Sequence, residues 1–368
     1  MSKPSSPHPR RTPAGLYLPL RATLAGRVRW QTLDERGVPE VPRNPSGFAI
    51  APLEGVGQEN LITDLGMNRM TVLDYRSLGP TLTATWRRRL AVGTGSTAPN
   101  VADTTLDAEV QRDADAGGFA SSETAVLDTA NDVWRNVTVV PRVVTMSADR
   151  NLTEFGFAQN TTGDIVIREL FRDGLGNPVT ISLLSGKKIL VTHTLTVEIP
   201  APPTGHAGTL DIEEYDASNA LVQTLNYDVT WGMFVHNSDS SARVERVFRA
   251  WNPSQTIPLS SSSYGGTAYT AARAYARVDT VDRSTNAVWG AAVTLDTYVD
   301  GSFTRTKRAT LSAAQANGAI YALSLQSNFG GFANQMAGLH VEFTDPATYT
   351  KVNTDTLRMG LVATWARA

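Results

Sequence analysis

From Ile189 to Ile199 the chain alternates without a break. Ile189, Val191, His193, Leu195, Val197 and Ile199 fall on one face, with Leu190, Thr192, Thr194, Thr196 and Glu198 on the other. A period of two keeps such a set together only on an extended strand, whereas a helix would scatter it around its axis. The result is a long strand with one face well buried. Pro200, Pro202 and Pro203 end it and mark a candidate domain boundary.

The rest of the chain reads the same way. Leu16–Leu18–Leu20 leads into a strand reaching Trp30, and Leu82, Ala84 and Trp86 alternate with threonines. The run Val137 to Met146 is rich in β-branched residues, which pack well on a pleated surface. Pro141 in its middle cannot donate to a ladder and argues for an edge strand or a bulge. Short apolar runs cover Glu154–Phe157, Ile165–Phe171 and Val179–Leu183. Asp216-Ala217-Ser218-Asn219 sits between two further runs as a hairpin turn. Leu357, Met359, Leu361, Ala363 and Trp365 share one face of a last strand over Thr356–Trp365.

Helical spacing is found over Asn60–Arg76, with Thr63 or Asn60 as N-cap, and briefly over Ser312–Asn317. The expected fold class is therefore all-β: sandwich-like domains with one short helix in the N-terminal part. The expected organisation is an extended arm over 1–15, a sandwich-like domain over 16–204 and a second β-rich domain over 205–368. In that scheme strand 356–365 returns to the first domain or stays in the second. Met1–Pro13 is rich in Pro, Ser and basic residues and lacks the apolar core of a signal peptide. It reads as an arm of an unsecreted protein, ordered only against a partner.

Composition removes several chemistries. With no cysteine, disulfides, thiolate metal sites and cysteine nucleophiles are excluded. Among 368 residues, 33 Lys and Arg against 35 Asp and Glu give no basic field for nucleic acid. No apolar run approaches the roughly 20 residues of a membrane-spanning helix. Gly93-Thr94-Gly95 lacks the lysine of a phosphate loop, and no Gly-x-Ser-x-Gly elbow is present. The five histidines are not paired at short helical spacing, and His193 reads as a core or interface residue. Asp113-Ala114-Asp115-Ala116-Gly117-Gly118 begins like a calcium loop but lacks its later ligands. Glu213, Glu214, Asp296 and Asp300 are the acids weighed for glycoside cleavage, against their simpler reading as surface acids. No cofactor, metal or catalytic residue is expected.

One set of segments carries a resemblance. Its pieces are Asn60-Leu61-Ile62-Thr63-Asp64-Leu65-Gly66, then Ala91-Val92-Gly93-Thr94-Gly95-Ser96-Thr97 with Pro99, and Asp103-Thr104-Thr105-Leu106 with Glu109-Val110. Thr153-Glu154-Phe155-Gly156-Phe157, Arg168-Glu169-Leu170-Phe171-Arg172-Asp173 and Gly176–Ile181 complete it, running into the long strand. In order and spacing they resemble phage tail and appendage proteins. The resemblance covers under half the chain. It implies a β-rich structural module of a bacteriophage virion, assembled in the bacterial cytoplasm, with no catalytic residues to carry over. It further implies a homo-oligomer, a trimer before other symmetries, that contacts other virion proteins in a tail fibre, collar or baseplate, or as a head decoration.

Two residue groups stand out as contact candidates. Arg87 and Arg89, taken as alternate positions of one strand, would share a face and meet carboxylates of a neighbouring subunit or guard a solvated edge. Tyr264, Tyr269 and Tyr275 lie in or after a Ser/Gly-rich loop and would form a platform for a host-surface glycan if exposed, or pack in a sheet if not. The rival reading from another class is a carbohydrate-binding or carbohydrate-cleaving adhesin.

Overall fold

The computed structural model describes residues 16–40, 54–71, 87–114, 117–128, 130–131, 133–200, 206–215, 220–235, 270–275, 287–311, 318–320, 322–328, 336–345, 349–351 and 357–368. Strands make up 55% of it and helix 4%, so the fold is all-β with one short helix.

The strands of the first half are β1 (Leu16–Leu33), β2 (Glu54–Glu59), β3 (Leu61–Ile62), β4 (Arg89–Gly93), β5 (Glu109–Asp113), β6 (Ser122–Asp128), β7 (Val133–Thr145), β8 (Arg150–Leu152), β9 (Glu154–Ala158), β10 (Ile165–Leu170), β11 (Ile181–Leu183) and β12 (Lys188–Pro200). The helix α1 (Asp64–Arg69) follows β3. The later strands are β13 (His206–Tyr215), β14 (Leu221–Val235), β15 (Thr270–Tyr275), β16 (Ala287–Leu295), β17 (Thr304–Leu311), β18 (Gly318–Ile320), β19 (Ala322–Asn328), β20 (Met336–Asp345), β21 (Tyr349–Lys351) and β22 (Leu357–Arg367).

A curled sheet of 13 strands runs in the order β13-β14-β20-β19-β15-β16-β17-β22-β1-β12-β7-β6, with β2 also on β1. The long β1 makes this possible. Its residues 16–24 pair in parallel with β22, residues 27–31 pair with β2, and residues 23–33 pair antiparallel with β12. Because β22 also pairs with β17, backbone hydrogen bonding passes without interruption from strands before residue 204 to strands after it. A second sheet, β3-β10-β9-β4-β5, packs on the first, and the pairs β11-β8 and β18-β21 stand apart.

The alternation in β12 is realised residue by residue. Ile189, Val191, His193, Leu195, Val197 and Ile199 are all buried. Against this face the second sheet lays Phe155 and Phe157, while Phe171 bridges to Trp30 of β1. The ring centroids of Trp30 and Phe171 are 5.7 Å apart, those of Phe155 and Phe171 4.9 Å. Such aromatic pairs add roughly 0.5–1.5 kcal/mol to the area they bury.

Three local expectations are refined. The helix is six residues long, not seventeen: Asn60 to Ile62 are extended and Met70 caps its end. Thr63 is the N-cap, its Oγ1 accepting from Gly66 N at 3.1 Å. Pro141 lies in a strand flanked on both sides only in part. The neighbour β6 stops opposite Val139, so Pro141 has β12 on one side and has passed the end of β6 on the other. Ala363 and Trp365 of the final strand are buried. The arm Met1–Pro13, the stretch Leu82–Trp86, the turn 216–219 and the segment Ser312–Asn317 lie outside the described residues.

Candidate functional site

The polar groups that matter are inside the second sheet and along its seam with the first. In the register of β9 and β10, Glu154 faces Leu170 and Arg168 faces Gly156. Glu154 and Arg168 are thus diagonal neighbours on one face, within reach of long side chains. Both are buried, at 0% and 1% exposure. Arg168 Nη2 lies 3.0 Å from Glu154 Oε2, and its two terminal nitrogens also reach Asp103 at 2.5 Å and Asp107 at 2.9 Å. Glu154 further accepts from the backbone N–H of Gly95, Ala108 and Asp107 at 3.0, 2.8 and 3.2 Å. The Thr97 hydrogen bond and the Arg168 cation hold the Asp107 carboxyl below its ordinary value.

This geometry explains the glycines at the end of β4 and in the turn after it. A side chain at Gly95 would collide with the Glu154 carboxylate, and a Cβ at Gly93 would stand 2.6 Å from the same oxygen. The amides that resemble an anion cradle are therefore taken up by the protein's own carboxylate. Most of the segments quoted for the resemblance meet here: β3 with the cap of α1, the turn after β4, Asp103, β9 and β10 belong to this one ion-locked layer, whereas Gly176–Ile181 leads into β11, which pairs with β8.

A second buried cluster lies between the layers. Arg87 donates to Thr138 Oγ1 at 2.7 Å and to His193 Nδ1 at 2.8 Å, and the His193 ring rests 5.4 Å from that of Phe157. Arg87 is in a turn before β4 and wholly buried, whereas Arg89 is half-buried at the first position of that strand. The expectation that the two share one strand face is thereby corrected: Arg87 is enclosed within its own subunit, where Thr138 and His193 take up its hydrogen bonds.

Burial, reinforced by the Arg87 cation, pushes the His193 imidazole well below its ordinary value. The histidine is therefore neutral in the fold, while an unfolded chain takes up a proton below about pH 6.5. Stability from this source is complete above about pH 6.5 and is lost as pH falls below it. The expected slope is about 1.4 kcal/mol per pH unit while the folded histidine stays neutral. Urea midpoints measured between pH 7.5 and 5 should fall accordingly, and His193→Gln should flatten that dependence. A parent protein equally stable across this range would contradict the assignment.

The other candidates are placed as follows. Tyr264 and Tyr269 lie outside the described residues. Tyr275 ends β15 opposite Ala287 and Ala322, with its side chain not described. Glu213 and Glu214 are successive residues of β13, in register with Thr224 and Gln223 of β14. Asp296 is half-buried and Asp300 exposed. Asp115 and Ala116 are outside the described residues, among which no group of His, Asp and Glu is placed to hold a metal ion.

Sequence reasoning did not single out the cleft beside the ion-locked layer. It has a volume of about 560 Å³ and opens where β1, the junction of β2 and β3, and the loop bearing Ala98 and Pro99 meet β10. Glu169 lines it and is 7% exposed. Its Oε1 accepts from Leu170 N at 2.9 Å and from Arg172 Nε at 3.2 Å, and burial pushes its carboxyl above the ordinary value. The signal for this site was present but silent. Glu169 and Arg172 were noticed as parts of a motif, and Asn60 as a helix cap, but only the fold brings them together.

No protein-family model, curated protein or solved structure matches this chain.

Proposed function

We propose that the chain is a structural component of a bacteriophage virion, belonging to its tail, collar or fibres and serving assembly and attachment. It works as a homo-oligomer, a trimer before other symmetries, beside other virion proteins, and it performs no catalysis. It is assembled in the bacterial cytoplasm and resides in the particle.

One observation supports this reading above the others: most of the segments resembling tail and appendage proteins, all but Gly176–Ile181, converge on a single layer locked by Arg168 and Glu154. The buried charges of that layer bind one another and nearby backbone amides, an arrangement suited to rigidity. The layer is packed on a ladder in which β1 joins β22, β2 and β12. The test has two arms. Light scattering on the purified full chain should give the mass of a closed oligomer, a monomer at micromolar concentration being the contrary result. Incubation with host polysaccharide should leave chain length unchanged; shortening that disappears on replacing one carboxylate would favour a cleaving adhesin.

A further inference from the structure

We infer that the cleft between β1, β3 and β10 is a binding site for a neutral, hydroxyl-rich ligand, a sugar residue of a glycan. Its volume of about 560 Å³ falls within the range of small-molecule sites, roughly 300–1,000 Å³. The site stands on its own chemistry, whether or not the chain belongs to a virion.

Two lining residues have polar atoms without a hydrogen-bond partner among the described residues. Both side-chain amide atoms of Asn60 are enclosed and have no hydrogen-bond partner among the described residues. The amide lies directly over Gly26, where any Cβ would clash with it, so the glycine makes room for the side chain. Leaving such a group unsatisfied is costly, and native structures place a water or a ligand there. Glu169 uses Oε1 in its bonds to Leu170 and Arg172, and among the described residues none donates to its Oε2.

The charges around these atoms select the ligand class. Arg172 is held by Glu169 and donates to Gly176 O at 3.0 Å; Arg367 donates to Ile62 O at 2.6 Å and pairs with Asp64. At the mouth, Arg27 and Glu59 face each other in register. An anion would meet Glu169 and Glu59, while a cation would meet Arg27, Arg172 and Arg367. A hydroxyl, both donor and acceptor, suits an amide beside a carboxyl oxygen. Leu61 and Pro99 in the lining offer apolar surface to the C–H groups of a sugar ring.

The test is saturation-transfer NMR on the full chain with glucose, galactose, N-acetylglucosamine and rhamnose at millimolar concentration. Inorganic phosphate and putrescine serve as the anionic and cationic probes. At least one sugar should receive saturation, and neither ion should displace it. Asn60→Ala should weaken that sugar about tenfold, as expected for the loss of one hydrogen-bonding group. Ala98 is an exposed lining residue, so Ala98→Trp should block the cleft while leaving the melting temperature unchanged. The inference is overturned if no sugar is saturated, if phosphate or putrescine competes, or if the folded Ala98→Trp protein binds as well as the parent.

Discussion

Replacing Arg168 with Leu should destabilise the protein by about 3–5 kcal/mol, the cost of leaving a buried partner charge uncompensated. A typical domain has only about 5–15 kcal/mol of stability in all, so the variant should be largely insoluble or unfold at markedly lower urea. The partner left behind is Glu154, fully enclosed, with Asp103 and Asp107 beside it. Pairing Arg168→Leu with Glu154→Leu should recover only part of the loss. The second change relieves the stranded carboxylate but orphans the amides of Gly95, Asp107 and Ala108 that it now accepts from. Urea titration of the parent, both single variants and the double variant gives the coupling directly. A shift below about 1 kcal/mol for Arg168→Leu would place the pair in the class of weak surface bridges, against the burial described above.

Deleting the chain after Asp355 should have an effect as large. The missing β22 lies between β1 and β17, so its removal opens two strand edges at once. It also removes Trp365, which is buried, stacks on Tyr298 at 5.8 Å and donates its indole N–H to Met67 O at 3.0 Å. Arg367 goes with it, and with it the hydrogen bond to Ile62 O and the ion pair to Asp64 at the start of α1. The truncated protein should collect in inclusion bodies. Trp365→Ala, a milder form of the same experiment, should cost about 3–5 kcal/mol. A soluble truncated protein with unchanged melting temperature would mean that β22 is dispensable to the ladder.

Fold and site were not equally legible in the sequence. Alternation over Ile189–Ile199 specified β12 because one face is sealed against the second sheet, so every inward position had to be apolar or satisfied. His193 fitted that pattern, and its neutrality follows from the same burial. Thr63 was legible as a cap because the capping bond is local. The length of α1 was not, because the backbone context decided it. Gly66 lets α1 lie on β10, where a Cβ would clash with the Val166 carbonyl. Arg87 was misplaced for a similar reason. A run of three arginines reads as a solvated surface until Thr138 and His193, 51 and 106 residues away, are brought to it. The ion pair of Arg168 and Glu154 needed only the register of β9 and β10, which sequence spacing alone does not give.

The claim that most needs direct measurement is residence in a virus particle. Phage particles purified from a lysate of cells that carry the gene can be labelled with gold-conjugated antibody against the purified protein and imaged by electron microscopy. The account predicts gold at one fixed place on the tail or its appendages in most intact particles. Particles without gold, with the protein recovered only from the soluble fraction, would contradict it.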